Sequence, residues 1–342
     1  MNYKLFGRTG LRVSELCLGT MTFGNAWGWG AEKQEVKKIF DLYTNNGGNF
    51  IDTANLYSNG KSEEMIGDLI KGDRDHFVLA SKFTLKDSFD NPPKDPNLSG
   101  MHKKNMLRSV EASLKRMKVD FLDILWVHAW DDLTPADELM RSLDDLVRSG
   151  KVLYIGISDS PAWRVSQCNT MAALKDWTSF AGLQIEYSLI QRSAERDLLP
   201  MAKAFDMAVT PWSPLGGGIL TGKYGKSGKG KGRASEGNKL TEKRLLIAQE
   251  VVKVAKKIGA EPSQVAIKWT MHNGNSIIPI IGARTKEQFQ SNIGALAIEL
   301  SDKDISHLNK VSAIELGFPH DFLKSENIKS IIYSDTYDKI KR

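Results

Sequence analysis

The sequence predicts an α/β fold, a (β/α)8 TIM barrel, on three observations. Short β-rich runs alternate with longer helical patterns, which is the mark of βαβ units. Eight such runs occur, more than an open doubly wound sheet usually carries, and no dinucleotide-type glycine fingerprint follows the first. Composition is ordinary for a globular chain, 41% hydrophobic and 26% charged over 342 residues, with no break that divides it, so one domain spanning 1–342 is expected.

Taken in order, a hairpin around Gly7-Arg8-Thr9-Gly10 precedes the barrel. Strands are expected at 17–19, 49–52, 77–82, 123–128, 152–158, 182–186, 208–212 and 276–281, each followed by helix. Thr134-Pro135-Ala136-Asp137 reads as a cap, a first-turn proline and an acid, and Ser160-Pro161 opens the next helix in the same way. Leu139, Leu143, Leu146 and Val147 form one apolar face, and Gly150 ends that helix. The stretch 222–238 is a Gly/Ser/Lys-rich loop, and 301–342 reads as an added helix with a C-terminal extension; both are placed to cover a barrel mouth.

Several classes are excluded early. Cys17 and Cys168 lie far apart with no metal-ligand spacing, so neither a disulfide framework nor a zinc site is expected, and both read as small buried residues. No apolar run reaches membrane-spanning length and the N-terminal residues carry no signal-like apolar region, so a cytoplasmic protein without membrane partners is expected. The net charge is +6, yet the segment 223–244, with eight basic and two acidic residues, holds the whole excess. A basic patch confined to one loop fits a small phosphate-bearing ligand better than nucleic acid, and a solvated face is the plain alternative. Gly225 to Lys231 matches GxxxxGK, but Gly232 stands where a P-loop needs Ser or Thr.

In a barrel the chemistry sits where the strands end, and here those positions are polar or aromatic. Asp52 ends the second strand with Tyr57 just beyond, Lys82 ends the third and His128 the fourth. Ser158 and Asp159 close the fifth, Gln184 lies near the end of the sixth, Trp212 ends the seventh, and Gly282 and Arg284 follow the eighth. A strand-ending Asp is often only a turn residue, and a lone Tyr or His often only packs. Together, Asp, Tyr, Lys and His can form one circuit. Lysine favours the phenolate and eases release of the tyrosine proton, the carboxylate holds lysine charged, and histidine directs a substrate oxygen.

Across roughly 1–315 the chain resembles the aldo-keto reductase superfamily. The resemblance rests on Phe50-Ile51-Asp52-Thr53-Ala54-Asn55-Leu56-Tyr57, Ala80-Ser81-Lys82, Asp123-Ile124-Leu125-Trp126-Val127-His128, Gly150-Lys151-Val152-Leu153-Tyr154-Ile155-Gly156-Ile157-Ser158 and Gln184-Ile185-Glu186-Tyr187-Ser188. It implies a catalytic tetrad of Asp52, Tyr57, Lys82 and His128, with Tyr57 as general acid in the reduction of an aldehyde or ketone by NADPH. Trp130-Asp131 and Ser160-Pro161-Ala162-Trp163 are similar to an aryl-alcohol-dehydrogenase-like bacterial branch.

The same resemblance implies the cofactor contacts. Trp212, in Trp212-Ser213-Pro214-Leu215-Gly216-Gly217, matches the residue that stacks on the nicotinamide, with Thr20, Met21, Ser213, Pro214, Leu215 and Gly217 around it. Ser158, Asp159 and Gln184 match the carboxamide partners, Asp159 standing where many members have Asn; a carboxylate accepts from the carboxamide NH2 but cannot donate to its carbonyl. Lys223 and Arg233 match the loop over the pyrophosphate, and Gly282, Arg284, Gln288 and Asn292 the adenosine phosphate site. Ser291 departs from the glutamate common near the adenine. Thr285-Lys286-Glu287-Gln288 is also a capping box, so Gln288 has a purely structural alternative. Two other functions stay open: a cofactor-binding regulator resembling potassium-channel β subunits, and a Schiff-base aldolase that would need Lys82 neutral. Trp27, Trp29 and Trp130 fall in loops expected to rim the mouth, which suits an apolar or aromatic carbonyl substrate.

Overall fold

The computed structural model describes residues 1–88, 94–225, 234, 239–272, 274, 276–334 and 336–340. The chain opens with β1 (Tyr3–Leu5) and β2 (Arg12–Ser14), paired antiparallel. Gly7 turns the hairpin at φ +57, and a side chain there would come within 2.6 Å of the Ala181 carbonyl. Phe6, carried on this hairpin, inserts into the end of the barrel opposite the strand C-termini. Its ring meets Phe50 and Trp126 edge-on at 5.9 and 6.0 Å, so the hairpin acts as a floor.

Eight parallel strands follow: β3 (Cys17–Gly19), β4 (Phe50–Asp52), β5 (Val78–Phe83), β6 (Leu122–Val127), β7 (Val152–Ser158), β8 (Gly182–Glu186), β9 (Ala208–Trp212) and β10 (Ile280–Ile281). They pair in sequence order, with β10 beside β3. The residues before β10 meet β9, where the Val209 N–H donates to Ser276 O and the Ile278 N–H to Val209 O, both at 2.8 Å, and the barrel closes. Four strands have the expected limits; the last is shorter than 276–281, because its first half bonds β9 in a single bridge before turning to β3. Lys82 lies one residue inside the end of β5, and His128 lies one residue beyond β6 rather than at its end.

The helices are α1 (Lys33–Asn45), α2 (Lys61–Ile70), α3 (Lys103–Met117), α4 (Ala136–Arg148), α5 (Ala162–Leu174), α6 (Leu198–Ala204), α7 (Glu242–Ile258), α8 (Pro262–His272), α9 (Lys286–Ile293), α10 (Asp302–Val311), α11 (His320–Lys324) and α12 (Glu326–Tyr333). Leu139, Leu143 and Leu146 of α4 are buried as expected, and Gly150 follows that helix at φ +75. The expected hydroxyl caps do not form. Pro135 and Pro161 occupy the cap positions, while the Thr134 hydroxyl donates to Asp131 Oδ2 at 2.7 Å and the Ser160 hydroxyl to Ser158 O at 2.8 Å.

The core has two parts. One lies between strands and helices; the other fills the barrel, with Cys17, Phe50, Val78, Ala80, Ile124, Trp126, Ala208 and Ile280 stacked above Phe6. Trp126 needs glycine on the next two strands, β7 and β8: a Cβ at Gly156 would lie 2.3 Å from its ring, and one at Gly182 2.8 Å from it. Cys17 inside the barrel and Cys168 on α5 are buried free thiols. Among the described residues no helix is long and apolar enough to cross a membrane, and no cluster of His, Cys, Asp or Glu suits a metal.

Candidate active site

The strand C-termini open at one end, and the first charged group there is buried. Asp52 is 2% exposed and Lys82 1%. The pairing of β4 with β5 sets Asp52 beside Ala80, two residues from Lys82 and on the same face. Lys82 Nζ then donates to Asp52 Oδ2 at 2.5 Å, to the Thr53 carbonyl at 2.8 Å and to Tyr57 Oη at 3.1 Å. An ammonium has three N–H bonds, so all of Lys82's are engaged. Tyr57 accepts in its contact with lysine, which leaves its own proton to point elsewhere. The second Asp52 oxygen accepts from Gln184 Nε2 at 3.0 Å, so both oxygens of the carboxylate are held.

Tyr57 is placed by an unusual backbone. Ser58, Asn59 and Gly60 follow it with φ of 48, 55 and 87, three left-handed residues in succession before α2 begins. Two of them bear side chains, a strained arrangement of the kind concentrated at functional sites. Thr84, Asp159 and Ser213, just past β5, β7 and β9, also have positive φ, so strain recurs around the same rim. Beneath Asp52 and Lys82, Ser62 Oγ contacts Thr20 Oγ1 at 2.8 Å and Thr53 Oγ1 at 3.0 Å, while the Thr20 hydroxyl donates to Asp52 O at 3.0 Å. Thr20, expected at the cofactor, thus spends its buried side chain on this network. Nothing in the sequence pattern marks Ser62, which reads as an ordinary helix residue.

Burial pushes the Tyr57 phenol above its ordinary value. Lys82 draws it down, with help from their hydrogen bond, but Asp52 adds to the rise. Lysine acts in the direction expected from the sequence, but burial is the larger influence, and Tyr57 stays protonated. Burial opposes the charge on Lys82, yet Asp52 and Tyr57 more than offset it, so the ammonium is held above its usual range. That opposes the neutral lysine an aldolase needs. His128 is held well below the usual imidazole value by loss of solvent and by Lys82, hence neutral. Its ring stands edge-on to Tyr57 at 6.1 Å, and its Nδ1 is buried with no partner among the described residues. Asn55, 1% exposed, likewise leaves both its amide atoms unpaired.

From β7 to β10 the rim changes character. Ser158 sits beside Gln184 in register, the Asp159 N–H donates to Gln184 O at 3.3 Å, and Trp212 Nε1 donates to Asp159 Oδ1 at 3.1 Å. Ser158, Asp159, Gln184 and Trp212 are thereby brought together, next to the Asp52 and Lys82 pair. Ser213, Pro214 and Leu215 lead into Gly216, Gly217 and Gly218, all left-handed, with the Gly217 N–H donating to Ser213 Oγ at 3.2 Å. Gly218 has a φ of +90, which favours glycine, and a Cβ there would lie 2.9 Å from Lys223 Nζ, so the lysine head rests against this turn. Arg233 and residues 226–233 lie outside the described residues.

At the last junction Thr285 caps α9, accepting from the Gln288 N–H at 3.3 Å, and Gln288 Oε1 accepts from the Arg284 N–H at 3.0 Å. The structural alternative for Gln288 is therefore realised, one residue earlier than a standard capping box. Asn292 is buried and donates to Gly282 O at 3.4 Å. Arg284 is exposed, and its guanidinium has no hydrogen-bond or ion-pair partner among the described residues. Met21 is half-buried beside Thr20. Across the mouth Trp27 and Trp29 pack at 5.6 Å, and Trp27 meets Tyr57 edge-on at 6.4 Å.

An eight-stranded parallel barrel with a buried Asp–Lys–Tyr circuit at its open end defines a class of carbonyl oxidoreductases. The family model described as "Aldo/keto reductase family" matches residues 15–313, and the chain belongs to that family, whose members generally use NAD(P)H. Among its relatives it is 38% identical over 320 residues to a norsolorinic acid reductase of Emericella nidulans, covering 92% of this chain and 82% of the relative. It is 35% identical over 324 residues to an aryl-alcohol dehydrogenase of Pestalotiopsis microspora, covering 92% and 82%, and 36% identical over 334 residues to an aldo-keto reductase of Aspergillus calidoustus, covering 94% and 84%. The aryl-alcohol branch is thus matched, by fungal rather than bacterial relatives.

Proposed function

We propose that the protein is an NADPH-dependent reductase of aldehydes and ketones in which Tyr57 is the general acid. The observation that carries this reading is the saturation of Lys82: with all three ammonium N–H bonds committed, one of them to Tyr57 Oη, the phenolic proton is free to serve a substrate oxygen at the mouth. NADPH, when bound, supplies the hydride. The residues that fit it are Trp212 for the nicotinamide face, Ser158 and Gln184 for the carboxamide, the turn of Gly216, Gly217 and Gly218 with Lys223 for the pyrophosphate, and Arg284 for the 2′-phosphate. Because Gln184 Nε2 is engaged with Asp52, its Oε1 is the atom left to accept from the carboxamide NH2.

The residues then divide the work. Neutral His128 donates one N–H to the carbonyl oxygen and orients it; Tyr57 delivers its proton to the same oxygen as negative charge develops; Lys82 steadies the phenolate left behind, and Asp52 keeps Lys82 charged. Trp27 and Trp29 offer flat apolar walls, and the name of one relative, an aryl-alcohol dehydrogenase, points the same way, so aryl aldehydes and their alcohols are the proposed substrates.

A panel of aromatic and aliphatic carbonyls assayed with NADPH and with NADH tests the reading; no turnover of any carbonyl with either cofactor rejects it. A charge-assisted contact is worth ~1.5 to 3 kcal/mol, so Arg284→Ala should weaken NADPH roughly 10- to 100-fold and NADH little. Equal losses, measured by fluorescence titration, remove Arg284 from the phosphate site.

A further inference from the structure

The charges at the mouth do not cancel. Asp52 is matched by Lys82 at 2.5 Å, whereas Asp159 has no salt-bridge partner among the described residues, although its carboxylate stands at the edge of the same site. It is fixed there from both sides: the backbone is held by the Asp159 N–H bond to Gln184 O at 3.3 Å, and Oδ1 accepts from the indole of Trp212 at 3.1 Å. Loss of solvent raises the Asp159 carboxyl, against the Trp212 N–H, the more distant Lys82 and Ser158, which lower it. Of the other groups that feel this carboxylate, Glu186 on β8 is a second acid, itself raised by burial, and Tyr57 is neutral.

We propose that Asp159 is a charge-selecting residue, a fixed anion beside Trp212 that makes the site prefer the oxidised, cationic nicotinamide over the reduced, neutral one. The inference rests on the nicotinamide lying at Trp212, as read above. The two redox forms of the cofactor differ at that ring by one positive charge, and an uncompensated carboxylate held against the indole distinguishes them by attraction alone. An asparagine in its place has the same shape, tolerates the observed φ of +42 and keeps an oxygen for the Trp212 N–H, but carries no charge. By linkage, tighter binding of the oxidised form displaces the bound equilibrium toward carbonyl reduction, since hydride transfer to the carbonyl leaves the oxidised cofactor behind. Asp159 does this without touching the hydride or the proton. It is a specificity-determining residue rather than a catalytic one.

The test is the ratio of two dissociation constants. NADP+ and NADPH are titrated against wild type and Asp159→Asn at pH 8 in low salt, following tryptophan quenching for the first and nicotinamide fluorescence for the second. The substitution should weaken NADP+ relative to NADPH by about tenfold, the size expected for one charge a few ångströms away in a partly solvated site, and added salt should shrink the wild-type preference. A role in holding Trp212 alone would move both constants together, and Asp159→Ser, which also removes the charge but shortens the side chain, should shift the ratio in the same direction. If both forms bind and the ratio stays within twofold in both variants, the inference is overturned and the cofactor reading stands. If wild type binds neither form, both are overturned.

Discussion

Tyr57 and His128 show how little of a titratable group's behaviour is decided by its immediate partner. Lysine sits 3.1 Å from the Tyr57 oxygen, yet burial wins and the phenol stays protonated, the state a proton donor needs. Tyr57→Phe keeps the ring and removes the acid, so turnover should fall ~10²- to 10⁴-fold while cofactor binding survives. Near wild-type turnover in that variant would end the proposed mechanism. His128 gives a prediction about stability. Its folded value is well below the ~6.5 of an unfolded histidine, so the unfolded chain takes up a proton that the native state refuses. The stability linked to it is complete above ~6.5 and drains as pH falls. Urea midpoints of wild type and His128→Gln should therefore converge, or cross, between about pH 7.5 and about pH 5. A difference that is constant over that range would mean that native His128 accepts the proton.

Individual elements were legible from sequence in proportion to how local their causes are. All eight strands follow from alternation and punctuation, and the α4 face from its leucines. The hydroxyl caps failed because the helices begin one residue later than expected, at Ala136 and Ala162, which puts Pro135 and Pro161 at the cap and leaves Thr134 and Ser160 to donate to Asp131 and to the Ser158 carbonyl. The resemblance named Asp52, Tyr57, Lys82 and His128 together, and the structure joins the first three by hydrogen bonds through Lys82 and sets the His128 ring beside Tyr57. The link from Gln184 to Asp52 was not legible, because it joins strands 132 positions apart in sequence. The fit of Trp126 against β7 was equally hidden, as Gly156 looks like any strand glycine until its neighbour is known. Gly156→Ala should cost ~1 to 3 kcal/mol in denaturant unfolding through overpacking. Trp126→Leu, which removes the ring, should recover part of that loss when the two are combined, and strict additivity would show that the two residues do not compete for space.

Along the barrel axis, Phe6 closes one end of the molecule and the linked Asp52, Lys82 and Tyr57 lie at the other, where the proposed chemistry takes place. Phe6→Ala should lower stability by ~3 to 5 kcal/mol while leaving kcat nearly unchanged at temperatures where the variant is folded. A fall in kcat as large as that of Tyr57→Phe would show that the floor shapes the mouth.

The two buried thiols turn this layered construction into something that can be followed in time. Cys17 faces the barrel interior, where burial and then Asp52 push its thiol well above the ordinary value, and Cys168 is on the buried face of α5, pushed up to about 12 chiefly by burial. Neither offers thiolate to an alkylating reagent in the native state. Labelling therefore reports opening. Detachment of α5 alone should expose Cys168, whereas Cys17 should react only when the ring of strands parts. Pulsed alkylation read by mass spectrometry in rising urea should show Cys168 labelled first and Cys17 following the global transition, so two unremarkable cysteines would record the order in which shell and barrel come apart.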